Sequence, residues 1–123
     1  MSIANKNILV LGFSPNHART SFMASKLLKN KGYNLFIQSN KDGKIEELEY
    51  HQDIDMSSKI DVVTIFLNPQ RQKPYYDSIL ALKPKSIIFN PGTENQELEE
   101  LAKKNEIKII ACCTIALTAV GIL

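Results

Sequence analysis

Long apolar stretches and basic stripes are both missing from this sequence. No apolar run reaches the roughly 18 residues that a membrane span requires. The opening residues, MSIANKN, lack the apolar core of a signal peptide. The 15 Lys and Arg are scattered among 13 Asp and Glu, and the net charge is only +2, so no nucleic-acid-binding surface is indicated. We therefore expect a cytoplasmic protein that binds neither membranes nor nucleic acids.

Cysteine and histidine are scarce, with two residues of each. Cys112 and Cys113 are adjacent, and a disulfide between neighbours is strained, so free thiols in a reducing compartment are expected. His17 and His51 have no partner at the spacing of a metal site. No acid and base stand in an evident catalytic arrangement. The sequence therefore predicts no metal site and no enzymatic activity.

Short apolar runs alternate with stretches of helical periodicity along the chain. Its 123 residues fit one domain, which we place at residues 1–123. The runs are typical of strands that are buried on both faces. They predict five strands, at residues 8–11, 33–37, 61–67, 85–89 and 107–111.

The segments between these strands predict helices. Residues 21–31 and 70–82 are two of them, and a third is expected after a capping box formed by Thr93 and Gln96. The stretch between the second and third strands is interpreted as a loop with one short helix near residues 53–59. Strands that alternate with helices imply a parallel sheet with helices on both faces, which is a doubly wound α/β fold.

The carboxyl end of the first strand carries the most informative segment, VLGFSPNHARTS at residues 10–21. Ligands of doubly wound sheets bind at the carboxyl ends of the strands. Gly12 allows a close backbone approach or a positive φ, and the helix that starts after Arg19 offers free N–H groups to a phosphate. An ordinary strand-to-helix turn is the alternative, because one glycine is far from a dinucleotide fingerprint.

These residues resemble the small stand-alone CoA-binding domain family. The resemblance rests on Gly12-Phe13-Ser14, Pro15, Arg19 and the Ser21-Phe22 helix start, followed by Gly32-Tyr33 and Asn40. Further along, DVVTIFLNPQ and NPGTENQELEELAKKNEIKIIACCT resemble the family's third strand and its last helix and strand. The order and spacing of these motifs span nearly the whole chain.

The resemblance implies a Rossmann-like fold with five parallel strands in the order 3-2-1-4-5. It also implies a non-catalytic protein that holds coenzyme A or an acyl-CoA at the carboxyl ends of the strands. The cofactor-binding residues are then expected among Gly12, Phe13, Ser14, Pro15, His17, Arg19, Thr20, Ser21, Asn40, Lys41, Leu67, Asn68, Pro69, Arg71, Asn90, Pro91 and Gly92.

Two departures from the family pattern leave the identity of the bound nucleotide open. Lys41 stands where the family often has proline, and Asn68-Pro69 stands where it often has arginines. One alternative is a regulatory subunit that binds NAD or another nucleotide, and another is a thiol-dependent redox protein that uses Cys113.

The apolar tail, TIALTAVGIL at residues 114–123, must cover its own domain or a second copy, so a monomer or a homodimer is expected.

Overall fold

The computed structural model describes residues 6–123. Most of the opening segment MSIANKN, for which no signal peptide is predicted, lies outside these residues. Seven strands form one sheet: β1 Asn7–Leu11, β2 Asn34–Gln38, β3 Gly43–Ile45, β4 Leu48–His51, β5 Val62–Ile65, β6 Ser86–Phe89 and β7 Lys108–Ala111. The helices are α1 Thr20–Asn30, α2 Pro69–Gln72, α3 Tyr76–Leu82, α4 Gln96–Lys104 and α5 Thr114–Ala119. No helix in this part of the chain is long and apolar enough to cross a membrane.

The sheet order is β3-β4-β2-β1-β5-β6-β7, and every pairing except β3–β4 is parallel. The predicted five-stranded sheet in the order 3-2-1-4-5 is therefore wrong, although the doubly wound α/β architecture is confirmed. The hairpin of β3 and β4 occupies the place outside β2, where Ile37 pairs with Tyr50. The predicted order places the strand at residues 61–67 beside β2. In the structure this strand is β5, and it pairs with β1 on the side away from β2.

Three local predictions also differ from the structure. Residues 53–59 form a turn instead of a helix, in which the Asp55 carboxylate accepts hydrogen bonds from Ser57 and Ser58. The helix expected at 70–82 is divided into α2, a 3-10 turn at Lys73–Tyr75 and α3, because Pro74 has no N–H with which to continue an α-helix. Asn95, not Thr93, caps α4 by accepting from the Leu98 N–H.

Helices cover the two faces of the sheet with separate apolar layers. On one face, Ile79 of α3 and Leu98 and Ala102 of α4 pack on Leu9, Val63 and their neighbours. On the other face, α1 and α5 pack through Leu28 and Leu117. Leu123 is buried in this second layer, whereas Val120 and Ile122 are exposed. The tail thus covers its own domain in part.

Candidate functional site

A cleft with two lobes opens at the carboxyl ends of β1, β2, β5 and β6. The main lobe has a volume of about 820 Å³, and the side lobe, which begins beside α1, has about 420 Å³. Both lobes are lined by Gly12, Ser14, Arg19, Phe66, Pro91 and Thr93. The connections from β1 and β5 diverge to opposite faces here, which is where doubly wound sheets bind ligands.

The loop between β1 and α1 is held by hydrogen bonds within the loop and to the first turn of α1. The Ser14 N–H donates to Ser21 Oγ at 3.0 Å, and the Ala18 N–H donates to the Asn16 side chain at 2.9 Å. Gly12 has φ +92°, and a Cβ there would lie 2.6 Å from Leu67 Cγ. Gly12 is thus favoured by its backbone conformation and by the close approach of Leu67.

The first turn of α1 keeps free donors toward the side lobe. The N–H groups of Thr20 and Ser21 make no hydrogen bond within residues 6–123. Arg19 is the N-cap residue, and its side chain does not cap the helix. Since an α-helix of 11 residues carries partial positive charge at its N-terminus, this turn can hold a phosphate group.

Three cationic side chains line the main lobe without carboxylate partners. Arg19, Lys41 and Arg71 make no side-chain hydrogen bond or ion pair with any residue that the structure describes. No Asp or Glu is among the residues that line the two lobes in this part of the chain. Within a protein of nearly balanced charge, the cleft is therefore a concentrated positive surface.

Gln38, at the end of β2, fixes the floor of the main lobe. Its side chain is buried, and Oε1 accepts from the Gly12 N–H at 3.1 Å. Its Nε2 lies within hydrogen-bonding distance of three oxygens, namely the carbonyls of Ser39 and Gln52 and the hydroxyl of Tyr75. Gln38 thereby joins the first loop, the segment after β4 and the 3-10 turn around one point.

The side chain of Asn90 is buried, and its hydrogen bonds are all to other residues of the protein. Its Nδ2 donates to Thr64 Oγ1 and to the Ile65 carbonyl, both at 2.8 Å, and its Oδ1 accepts from the Thr114 N–H at 2.8 Å. The amide therefore has every donor in use, and it ties β5 and β6 to the start of α5. The side chain of this predicted site residue holds the cleft together instead of facing it.

The structure brings most of the predicted site residues together. Fifteen of the seventeen line one lobe or the other: Gly12, Phe13, Ser14, Pro15, Arg19, Thr20, Ser21, Asn40, Lys41, Leu67, Asn68, Arg71, Asn90, Pro91 and Gly92. Phe13 is 4% exposed and packs against Phe22 and Tyr50, so its side chain belongs to the core. His17 and Pro69 line neither lobe.

Several lining residues were not predicted as site residues. They are Ala18, Gln38, Phe66, Pro74, Tyr75, Thr93 and Cys113. Gln38 and Phe66 follow directly from the position of their strands, because each lies at a carboxyl end. Pro74 and Tyr75 were not predicted because residues 70–82 were expected to form one unbroken helix. Such a helix gives no reason for residues in its first turns to line the cleft.

The family of this chain follows from a comparison with family models. A family model described as CoA binding domain matches residues 6–118. This chain belongs to the CoA-binding domain family. The family resemblance inferred from the motifs is thus confirmed. A search of curated proteins found no match.

Solved structures of similar proteins share this architecture. An uncharacterized protein of known crystal structure is 36% identical, with a TM-score of 0.91, and the match covers 97% of this chain and 98% of that one. A hypothetical protein from Pyrococcus horikoshii OT3 is 24% identical with a TM-score of 0.82, covering 94% of this chain and 83% of that one. Cell-free ID.343 from Thermus thermophilus is 20% identical with a TM-score of 0.85, covering 97% and 91%. These last two likenesses concern the fold.

Proposed function

We propose that this protein binds coenzyme A or an acyl-CoA in the cleft and does no chemistry on it. The observation that carries the proposal is the set of three cations, Arg19, Lys41 and Arg71, that line the main lobe without a carboxylate partner. CoA carries a 3′-phosphate and a pyrophosphate, with a total charge of about −4 near neutral pH. The free N–H groups of Thr20 and Ser21 supply further donors to such a ligand.

The end of β2 favours CoA over NAD. Dinucleotide-binding domains place an Asp or Glu at this position to bind the ribose hydroxyls of NAD. Here residues 38–41 are Gln-Ser-Asn-Lys, and the Gln38 amide is occupied by internal hydrogen bonds. Lys41 instead offers a positive charge, which suits a ribose that carries a phosphate.

The titratable groups that line the cleft support a binding role. They are Arg19, Lys41, Arg71, Tyr75 and Cys113, so neither a histidine nor a carboxylate lines the cleft within the described residues. General acid–base catalysis depends on a group whose pKa lies near the working pH, most often a histidine or a carboxylate. Simple binding requires no such group.

Cys113 supports a second candidate function in thiol chemistry. It lines the side lobe and is the N-cap residue of α5. In this alternative, the Cys113 thiolate exchanges with a disulfide substrate and releases a thiol. Intact-mass spectrometry after exposure to CoA disulfide tests it: an adduct of one CoA on wild type, absent in Cys113→Ser, would support the alternative, and an unmodified wild-type protein would remove it.

Calorimetric titration with CoA, 3′-dephospho-CoA and NAD tests the proposed ligand. We expect CoA to bind at least ten-fold more tightly than dephospho-CoA, since a hydrogen bond to a charged group contributes about 1.5–3 kcal/mol. NAD should bind more weakly than either. Equal affinities for CoA and NAD, or no binding of CoA, would refute the proposal, and small molecules released from the purified protein would identify an alternative ligand.

The oligomeric state is part of the same proposal. We infer a monomer or a homodimer, and the exposed Val120 and Ile122 at the end of α5 are the surface that would mediate dimerisation. Light scattering coupled to size-exclusion chromatography distinguishes the two states. If the protein is a dimer, Ile122→Ser should dissociate it, and a dimer that persists would place the interface elsewhere.

A further inference from the structure

The β3–β4 hairpin reaches over to the outer side of the loop that leads into α1. At its tip, Glu46 Oε2 lies 2.8 Å from His17 Nε2 of the loop, and Glu46 Oε1 accepts from Lys26 Nζ of α1 at 2.8 Å. One carboxylate therefore contacts both the loop and the helix that follows it. His17 also packs against the ring of Phe22, with 4.4 Å between centroids.

Glu46 has an unusual backbone conformation for its residue type. Its φ is +55°, in the left-handed region, and the tip of a two-residue hairpin favours glycine at such a position. Left-handed conformations of other residues are uncommon, and they persist where the surroundings fix them. The glutamate side chain makes two contacts at this tip that a glycine could not make.

The electrostatics of the tip agree with this geometry. Hydrogen bonds from Lys26 and then from His17 lower the pKa of Glu46 below its usual value. The neighbouring Glu47 is also bonded to Lys26, at 2.5 Å, and its pKa is lowered as well. Within the described residues, Glu47 makes no hydrogen bond or ion pair with His17, so only Glu46 is bonded to the loop.

We propose that Glu46 is a positioning residue that holds the β1–α1 loop in its ligand-binding conformation through His17 and Lys26. The inference rests on the proposed function, because the loop it holds carries Ser14 and Arg19 into the cleft. Glu46 itself lines neither lobe, so its effect on a ligand is indirect. His17, which the resemblance places among the cofactor-binding residues, lines neither lobe. Its contact with Glu46 instead supports a role in holding the loop from the outside.

Hydrogen–deuterium exchange of the free protein tests the proposal without any ligand. We expect Glu46→Ala to increase exchange at the amides of Ser14, Asn16 and Ala18, which donate to side chains of the loop and of the first turn of α1. Glu47→Ala is the matched control, because it removes a carboxylate bonded to Lys26 alone. Equal exchange in wild type, Glu46→Ala and Glu47→Ala would overturn the proposal.

Calorimetry with CoA gives the second readout. Exposed ion pairs have modest effects, so we expect CoA affinity to fall about two- to five-fold in Glu46→Ala and to be unchanged in Glu47→Ala. His17→Ala should lower affinity by no more than Glu46→Ala does, because it leaves the contact between Glu46 and Lys26 in place. The double variant should bind as weakly as Glu46→Ala and no more weakly. Fully multiplicative losses in the double variant would show that Glu46 does not act through His17.

The two proposals fail in distinguishable ways. If wild-type protein does not bind CoA, the proposed function falls, and the exchange experiment alone decides whether Glu46 orders the loop. If wild type binds CoA but Glu46→Ala binds it equally well, the ligand stands and the positioning role is refuted.

Discussion

Gly12 and Gly92 are a matched pair for measuring how much stability is lost when a side chain at position 12 meets Leu67. Both have a positive φ, +92° and +91° respectively, so an alanine at either position should be strained by about 1–3 kcal/mol. They differ in what a Cβ would meet. At Gly92 nothing lies within 4 Å, whereas at Gly12 the Cβ would be 2.6 Å from Leu67 Cγ and 3.2 Å from the Leu67 backbone nitrogen.

The contact with Leu67 should add to the strain at Gly12. A side chain can move away, but the backbone nitrogen belongs to the segment that follows β5 and cannot shift without disturbing the cleft. Overpacking of this kind costs about 1–3 kcal/mol. We therefore expect Gly92→Ala to lose about 1–3 kcal/mol of unfolding free energy, and Gly12→Ala to lose about 1–3 kcal/mol more than Gly92→Ala.

Urea denaturation of the wild type and the two variants measures both losses, provided that the three m-values agree. Equal losses in the two variants would refute the reasoning, because strain alone would then explain both. The structure also changes the interpretation of a bulkier residue at Gly12. A loss of CoA binding in Gly12→Val would include displacement of Leu67 and a weakened fold, so it would not by itself show a direct clash with the ligand.

Three further variants test the site and the core. Arg19→Ala should weaken CoA binding about 10- to 150-fold, equivalent to about 1.5–3 kcal/mol, while the melting temperature stays near that of wild type; unchanged affinity by calorimetry would remove Arg19 from the ligand contacts. Asn90→Ala should lower the unfolding free energy by about 2–4 kcal/mol, because it removes the hydrogen bonds of the Asn90 side chain to the Thr114 N–H and the Ile65 carbonyl. Asn40→Ala, on the exposed rim, is the control in the same urea titration. Tyr33→Phe should leave stability unchanged or raise it, since the Tyr33 hydroxyl is buried without a hydrogen-bond partner in the described residues; a loss of more than about 1 kcal/mol would show that the hydroxyl is satisfied in solution.

The sequence revealed the central strands because their residues are apolar on both faces. β1, β5 and β6 are nearly continuous buried runs, and such runs are recognisable without knowledge of their neighbours. The hairpin was missed for the opposite reason. Leu48 and Tyr50 of β4 are buried while Glu49 and His51 are exposed, and four residues in this alternation, next to a three-residue β3, resemble a polar loop.

Strand order was also beyond local pattern. The position beside β2 is filled by β4 of the hairpin. When the hairpin is not predicted, the next strand along the chain is assigned to that position, although in the structure this strand, β5, pairs with β1. The clustering of the candidate site residues was predictable, because the carboxyl ends of parallel strands lie at one edge of the sheet whatever the strand order. The direction of individual side chains was not predictable: Phe13 and His17 lie in the same loop as Arg19 but turn toward Tyr50 and Glu46 respectively.

The hairpin has a consequence for how the protein behaves at high concentration. Without it, the apolar β2 would be an edge strand with open backbone donors and acceptors, which is a template for strand addition from other molecules. The chain instead ends this side of the sheet with β3, which has three residues and a central Lys44 that is exposed. Short, charged edges of this kind resist aggregation, so the hairpin whose tip contacts the β1–α1 loop also protects the edge of the sheet.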